Sequence, residues 1–191
     1  MRLTTTTELT VEEIHQIGLN ELSRIHDEMR EIMKMVGFDG ELNAFFEFIR
    51  TDEQFYYPNT DEGKEAYIQR AVEVIDDMKE RLDSLFFTKP EADLIVKRVE
   101  AFREKSVGTA FYQRPAPDGS RPLIYYANLY DTANMPKYKL ERLAYHEGVP
   151  GHHMQLALAQ QLEGIPKSAS LAATPPTLMG GGCIVNFSLR K

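Results

Sequence analysis

The first part of the chain carries apolar residues at the spacing of amphipathic helices. Between residues 14 and 33 they recur every three to five positions, and Thr10 offers a capping box that would start this helix. A shorter stretch over 41–50 and a longer one over 62–85 repeat the pattern, with loop-forming residues between them. We therefore predict a helical scaffold over residues 1–90.

Between residues 94 and 129 the apolar pattern becomes that of short strands. β-Branched and aromatic residues dominate there, and Pro and Gly interrupt them. Candidate strands cover 94–99, 110–113 and 123–129, and because a Pro/Asp/Gly-rich loop joins the last two, we predict that they form an antiparallel pair. Helical spacing returns over 137–164, so the predicted fold class is mainly α with a small antiparallel β element.

Composition narrows the classes of protein that the chain can represent. Its 191 residues include 22 Lys and Arg against 29 Asp and Glu, a formal net charge of −7, which argues against a nucleic-acid partner. No apolar run is long enough to span a membrane, and the N-terminus lacks the apolar stretch of a secretory signal. As written, the chain is expected to be soluble and cytoplasmic. The single cysteine, Cys183, excludes an internal disulfide and a multi-cysteine zinc site.

The candidate chemistry lies in a short segment rich in histidine. His146, His152 and His153 are three of the five histidines and fall within eight residues, and Glu147 follows the first of them. Neutral imidazoles bind zinc, and a carboxylate beside them can take a proton from water, so the segment has the groups of a metallohydrolase. The usual helical form of such a site is H-E-x-x-H, from which this chain departs because Pro150 occupies the position of the second histidine.

A straight helix would not bring these histidines together. Six steps along an α-helix separate His146 from His152 by about 9 Å along the axis and by some 120° around it. Pro150 cannot donate a backbone hydrogen bond to His146, and Gly151 tolerates unusual backbone angles. We therefore predict a break at these two residues, which could return the second histidine to the side of the first.

Residues 145–155, with the sequence Tyr-His-Glu-Gly-Val-Pro-Gly-His-His-Met-Gln, resemble the signature of the bacterial domain-of-unknown-function 885 proteins. The similarity extends over most of the chain, including the segments 5–15, 85–90, 110–112, 122–129 and 136–138. Those proteins are grouped with the zincin-like metallopeptidases of the gluzincin type. The resemblance therefore implies a zincin-like architecture and a zinc-dependent hydrolase that cleaves a peptide or a small amide substrate.

The resemblance also implies roles for individual residues. His146 and His152 would be ligands of Zn²⁺, and Glu147 would be the general base that accepts a proton from water. His153 would support the site from beside it, or exchange with His152 as a ligand.

The last candidate strand precedes the metal-binding segment, as substrate-side edge strands do in zincins. Its free edge could hold an extended peptide, with Tyr125, Tyr126 and Asn128 as candidate substrate-strand residues. Packing of this strand within the core is the other interpretation. Because neighbouring side chains on a strand point to opposite faces, at most one of the two tyrosines can reach the site.

A zinc site of this type needs a third protein ligand. The resemblance implies a Glu in a Glu-Gly-Trp-Ala-type helix further along, yet this chain has no Trp and turns to Thr-Pro-Pro and three glycines after residue 173. We therefore predict an incomplete zincin-like catalytic domain over 1–172, with a metal-binding helix region at its end, and a non-family tail over 173–191 from a shifted reading frame. Glu163 and Asp131 are candidates to replace the missing third ligand, although neither belongs to a recognisable motif. We expect a longer parent enzyme, and a chain that is impaired or inactive on its own.

Two other interpretations stay open. The chain could be a non-catalytic helical binding or scaffold domain with a vestigial histidine cluster, or two histidines and a carboxylate could hold non-haem iron. The position of Glu147 directly after His146 favours a general base over the iron triad. His15 and His26 are interpreted as solvent-facing residues of the first helix. A signal peptide directing the parent to the periplasm or out of the cell would precede Met1.

Overall fold

The structure is a computed structural model that describes residues 5–90, 93–114 and 122–161. The chain divides into two units, Met1–Asp52 and Glu53–Lys191, so that the predicted helical scaffold is shared between them. The predicted tail and most of the Pro/Asp/Gly-rich loop lie outside the described residues.

In the first unit, Val11–Met35 forms helix α1 and Leu42–Thr51 forms helix α2. Thr10 starts α1 with the predicted capping box. Its hydroxyl accepts a hydrogen bond from the backbone of Glu13, whose carboxylate accepts one from the backbone of Thr10 in return. Phe38, in the segment that connects α1 to α2, packs its ring against those of Phe45 and Phe48 within α2. This contact holds the connecting segment against α2.

The second unit carries the strands and the histidine segment. In chain order its main elements are α3 (Asp61–Leu85), β1 (Leu94–Arg98), β2 (Ala110–Gln113), β3 (Leu123–Ala127), α4 (Lys137–Glu147) and α5 (His152–Gln161). Each lies within a few residues of its predicted counterpart, because the apolar spacing and the flanking Pro and Gly residues marked the ends.

The three strands form a mixed sheet in the order β1–β3–β2. The predicted antiparallel pairing of β2 with β3 is confirmed, with Tyr112 opposite Tyr125. The prediction of a purely antiparallel element is wrong, because β1 pairs with β3 in parallel, Leu94 lying opposite Leu123. Strand order depends on which sheet edge the chain returns to, and the apolar pattern of the strands carries no information about that.

The core lies between the sheet and the helices. Alternate residues of β3 enter different clusters: Tyr125 faces the main core of α3, α4 and α5, whereas Tyr126 packs on the other face with Val99 and Ile124. All five residues of β3 are buried, as expected for a central strand. The helices α3 and α4 pack against each other over the main core, and this packing positions the C-terminal end of α4.

Candidate metal centre

The histidine segment is divided between two helices. α4 ends at Glu147, and the backbone N–H of Gly148 closes its last turn by donating to the carbonyl of Ala144 at 2.8 Å. α5 then begins at His152. The predicted break is therefore confirmed, as a turn over residues 148–151 that contains a cis Val149–Pro150 peptide bond.

Two glycines allow this turn to fold closely against the end of α4. A Cβ atom on Gly151 would lie 2.0 Å from the carbonyl oxygen of His146 and 2.3 Å from that of Tyr145. A Cβ atom on Gly148 would lie 2.5 Å from the carbonyl oxygen of Ala144. Any larger residue at either position would push the chain away from α4, so these glycines set the distance between the two helix ends.

The turn brings together the three residues predicted to carry the chemistry. One donor atom from each of His146, Glu147 and His152 lies within 4.8 Å of the others. The two imidazole rings have centroids 4.7 Å apart and are inclined at 76°. The two imidazole nitrogens are donors that zinc accepts, and the Glu147 carboxylate beside them can serve as a ligand or as a base toward water. The residues present therefore fit a metal ion.

In this cluster, hereafter called the triad, burial shifts the pKa values of Glu147 and His152. Glu147 is 7% exposed, and burial raises the pKa of its carboxyl to about 7. Burial also lowers the pKa of half-buried His152, and the neighbouring His146 adds to that effect. A lowered pKa keeps the imidazole neutral near pH 7, which is the form that binds a metal.

The raised pKa of Glu147 predicts a pH-dependent stability of the metal-free protein. A carboxyl whose pKa is raised from 4.5 to about 7 by folding stabilises the protein below pH 4.5, and that contribution is lost as the pH rises through about 7. Between pH 4.5 and about pH 7, the unfolding free energy of wild type is therefore expected to fall by about 1–3 kcal/mol relative to that of Glu147→Gln. Urea unfolding of both chelator-treated proteins at a series of pH values measures this change. A stability difference that does not vary with pH would contradict the raised pKa of Glu147.

His153 lies in the core beside the triad. It is 2% exposed, and its ring meets that of Tyr112 edge to face at a centroid distance of 6.3 Å. Among the described residues, the group of possible metal donors contains His152 and does not contain His153. The supporting role of His153 stays a prediction. Of the remaining histidines, His15 is exposed as predicted, whereas His26 is half-buried.

The candidate substrate-strand residues do not lie on a free edge. β3 is the central strand, with β1 and β2 on its two sides, so the predicted free edge is wrong. Tyr125 is fully buried, and Tyr126 donates its hydroxyl hydrogen to Glu100 on the opposite face at 3.2 Å. Asn128 donates to three backbone carbonyl groups, those of Glu104, Val107 and Gly108. These contacts indicate that Tyr126 and Asn128 stabilise the sheet and its loops.

Tyr112 is the residue near the triad that the sequence did not reveal. Its ring lies 6.5 Å from that of His152, centroid to centroid. The predicted hairpin could have found it, since an antiparallel register placing Tyr112 opposite Tyr125 puts both on the same face. Without the strand order, however, that face could not be identified as the one under the metal segment.

The substitute ligands are not part of the triad as described. The carboxylate of Asp131 accepts hydrogen bonds from the backbone of Ala133 at 3.0 Å and from the side chain of Asn134 at 3.3 Å, and so caps a short 3₁₀ turn. Glu163 lies outside the described residues. The third protein ligand therefore stays unassigned.

Comparison with known proteins gives a family and a structural relative. Residues 1–178 match the family model described as bacterial protein of unknown function, DUF885. The crystal structure of the "putative lipoprotein from Colwellia psychrerythraea" is similar at 31% identity with a TM-score of 0.79, over 90% of this chain and 29% of that one. The chain thus spans less than a third of the length of this relative. No curated protein matches the chain. Within the described residues, no helix combines the length and the apolar character needed to cross a membrane.

Proposed function

This chain belongs to the DUF885 family of bacterial proteins, and from that premise we propose that it carries the metal-binding part of a zinc-dependent hydrolase, most simply a metallopeptidase. The observation that carries the proposal is the turn between α4 and α5. It places donor atoms of His146, Glu147 and His152 within 4.8 Å of one another, although the sequence departs from the usual helical spacing.

The proposed roles follow from the position and charge of each side chain. His146 and His152 hold the ion. His146 lies in the last turn of α4 and His152 is the first residue of α5, so each imidazole is held by a helix end. Zinc at this position would supply Lewis acidity toward water and toward a substrate carbonyl. Glu147 is buried and has a pKa of about 7, so its carboxylate can accept a proton from water near neutral pH and pass it on.

An extended peptide or small amide substrate would bind along β2 in this proposal. β2 is at one side of the sheet, and among the described strands it pairs with β3 alone. Its outer backbone groups are therefore available for strand addition, which was first expected at β3. The ring of Tyr112 places this strand next to His152.

Metal analysis of the purified chain tests the proposal. After equilibrium dialysis against enough free zinc to saturate a weak site, wild type is expected to hold close to one equivalent. His146→Ala and His152→Ala should lose it, because each removes one of the two histidine donors. His15→Ala is the matched control, since this exposed histidine lies on α1.

The other outcomes of the metal analysis separate the alternatives. Iron in the protein as purified, before any dialysis, would support a non-haem iron site of two histidines and a carboxylate. The specific observation behind that alternative is the presence of Glu147 in the triad. A wild-type protein without metal would contradict the proposal and leave a helical binding or scaffold domain.

We also propose that the chain is part of a longer enzyme, since it spans less than a third of its structural relative. Zinc held by two histidines alone binds weakly, so we expect a third ligand from another part of the parent and an impaired activity for this chain. The similar lipoprotein favours a location of the parent outside the cytoplasm.

A further inference from the structure

Tyr112, whose ring lies near that of His152, has a buried hydroxyl group. Its oxygen is inaccessible to solvent and makes no hydrogen bond with any described residue. Leaving a buried polar group without a partner destabilises a protein, and phenylalanine would fill the same space without that cost. A tyrosine at this position therefore points to a hydrogen-bond partner other than the described residues.

The ring of Tyr112 lies near the triad. The Tyr112 ring lies against both His152 and His153, with centroid distances of 6.5 Å and 6.3 Å. β2 holds the residue rigidly through its ladder to β3, and α4 contacts the same strand. A ligand bound at the triad would thus lie beside Tyr112.

Two other buried tyrosines provide a contrast. The hydroxyls of Tyr67 and Tyr125 face each other in the core, although they do not reach hydrogen-bond geometry. Each therefore has a polar neighbour from the fold. No such neighbour is described for the hydroxyl of Tyr112, whose ring neighbours at the triad are imidazoles.

The charges around Tyr112 favour a negatively charged partner. A tyrosine hydroxyl is protonated near pH 7 and can donate its hydrogen in a hydrogen bond. The positive charge of Arg114 acts on both Tyr112 and His152. Arg114 follows two residues after Tyr112, on the same side of an extended chain, and its field therefore reaches the triad.

We propose that the Tyr112 hydroxyl donates a hydrogen bond to an oxyanion of a ligand bound at the triad, with Arg114 adding positive charge. The ligand class is a carboxylate or a tetrahedral oxyanion, such as the one that forms when water adds to an amide carbonyl. Tyr112 is then a ligand-binding residue, and the inference rests on the metal site proposed above.

A zinc-binding phosphinate tests this role. The probe is a dipeptide analogue in which a tetrahedral phosphinate replaces the amide, and its affinity for the zinc-loaded full chain is measured by calorimetry. Tyr112→Phe is expected to weaken phosphinate binding by about 10- to 100-fold, the usual effect of one hydrogen bond to a charged group. Zinc affinity should stay unchanged, and the melting temperature of the metal-free protein should stay equal or rise, because an unsatisfied hydroxyl is removed.

Tyr126→Phe is the matched control. It removes a hydroxyl that bonds to Glu100 on the other face of the sheet, so phosphinate affinity should be that of wild type.

The outcomes distinguish this inference from the metal site. Suppose that wild type binds zinc. If Tyr112→Phe then binds the phosphinate as tightly as wild type, or if neither protein binds it, the role of Tyr112 is overturned while the metal site stands. If wild type binds no zinc, the metal site fails. A melting temperature lowered by Tyr112→Phe would show that the hydroxyl is bonded within the fold, and would overturn the inference with or without metal.

Discussion

Replacing Gly151 by alanine is expected to weaken zinc binding by at least about 100-fold and to destabilise the chain by about 1–3 kcal/mol. The added Cβ would lie 2.0 Å from the carbonyl oxygen of His146, which is backbone and cannot rotate away. The turn must then open, and His152, the next residue, moves away from His146. Competition with a chromophoric chelator measures the zinc affinity, and urea unfolding measures the stability.

Gly18→Ala is the matched control for this substitution. Gly18 lies within α1, and its added Cβ would have no atom within 4 Å. Alanine is the better helix former, so this variant should keep its zinc and gain about 0.5–1 kcal/mol in stability. If Gly151→Ala bound zinc as wild type does, the close turn would not be what positions the two histidines.

Glu147→Gln is expected to keep zinc and to lose about 10²-fold or more in hydrolytic rate. Glutamine has nearly the same shape but cannot accept a proton, so only the base is removed from the triad. The assay uses p-nitrophenyl acetate, whose leaving group needs no protonation, so that a zinc site with an incomplete ligand set still gives a measurable rate. Zinc content is determined on the same samples.

Glu141→Gln is the control for a general loss of acidic charge on α4. The carboxylate of Glu141 accepts a hydrogen bond from the Tyr145 hydroxyl at 2.7 Å on the exposed side of the helix, away from the triad. Its rate should equal that of wild type. An unchanged rate in Glu147→Gln would refute the role of Glu147 as general base. Loss of zinc from that variant would instead show that Glu147 is a metal ligand.

Most of the secondary structure was predictable because its signals are local. The capping box at Thr10, the apolar spacing of α3 and the Pro and Gly residues around β2 each act over a few positions. The break between α4 and α5 was predictable for the same reason, since Pro150 and Gly151 change the backbone where they stand.

The arrangement of the strands was not predictable in this way. The parallel pairing of β1 and the central place of β3 depend on contacts between residues far apart in the chain. For that reason the expected substrate edge was assigned to Tyr125 and Tyr126, and Tyr112 was missed. The partners of His146 were found because they are its neighbours in sequence, whereas a third ligand from a distant segment leaves no local pattern.

The turn between α4 and α5 also has a consequence for the order in which the site assembles. Five residues separate His146 from His152, so joining them closes a very short loop, and the entropy lost depends little on the rest of the chain. A ligand from a distant segment would instead close a long loop that forms only with the tertiary fold. In the proposed site, the histidine pair would therefore be able to bind an ion before the tertiary fold is complete, and a ligand from a distant segment would join them only once that fold has formed.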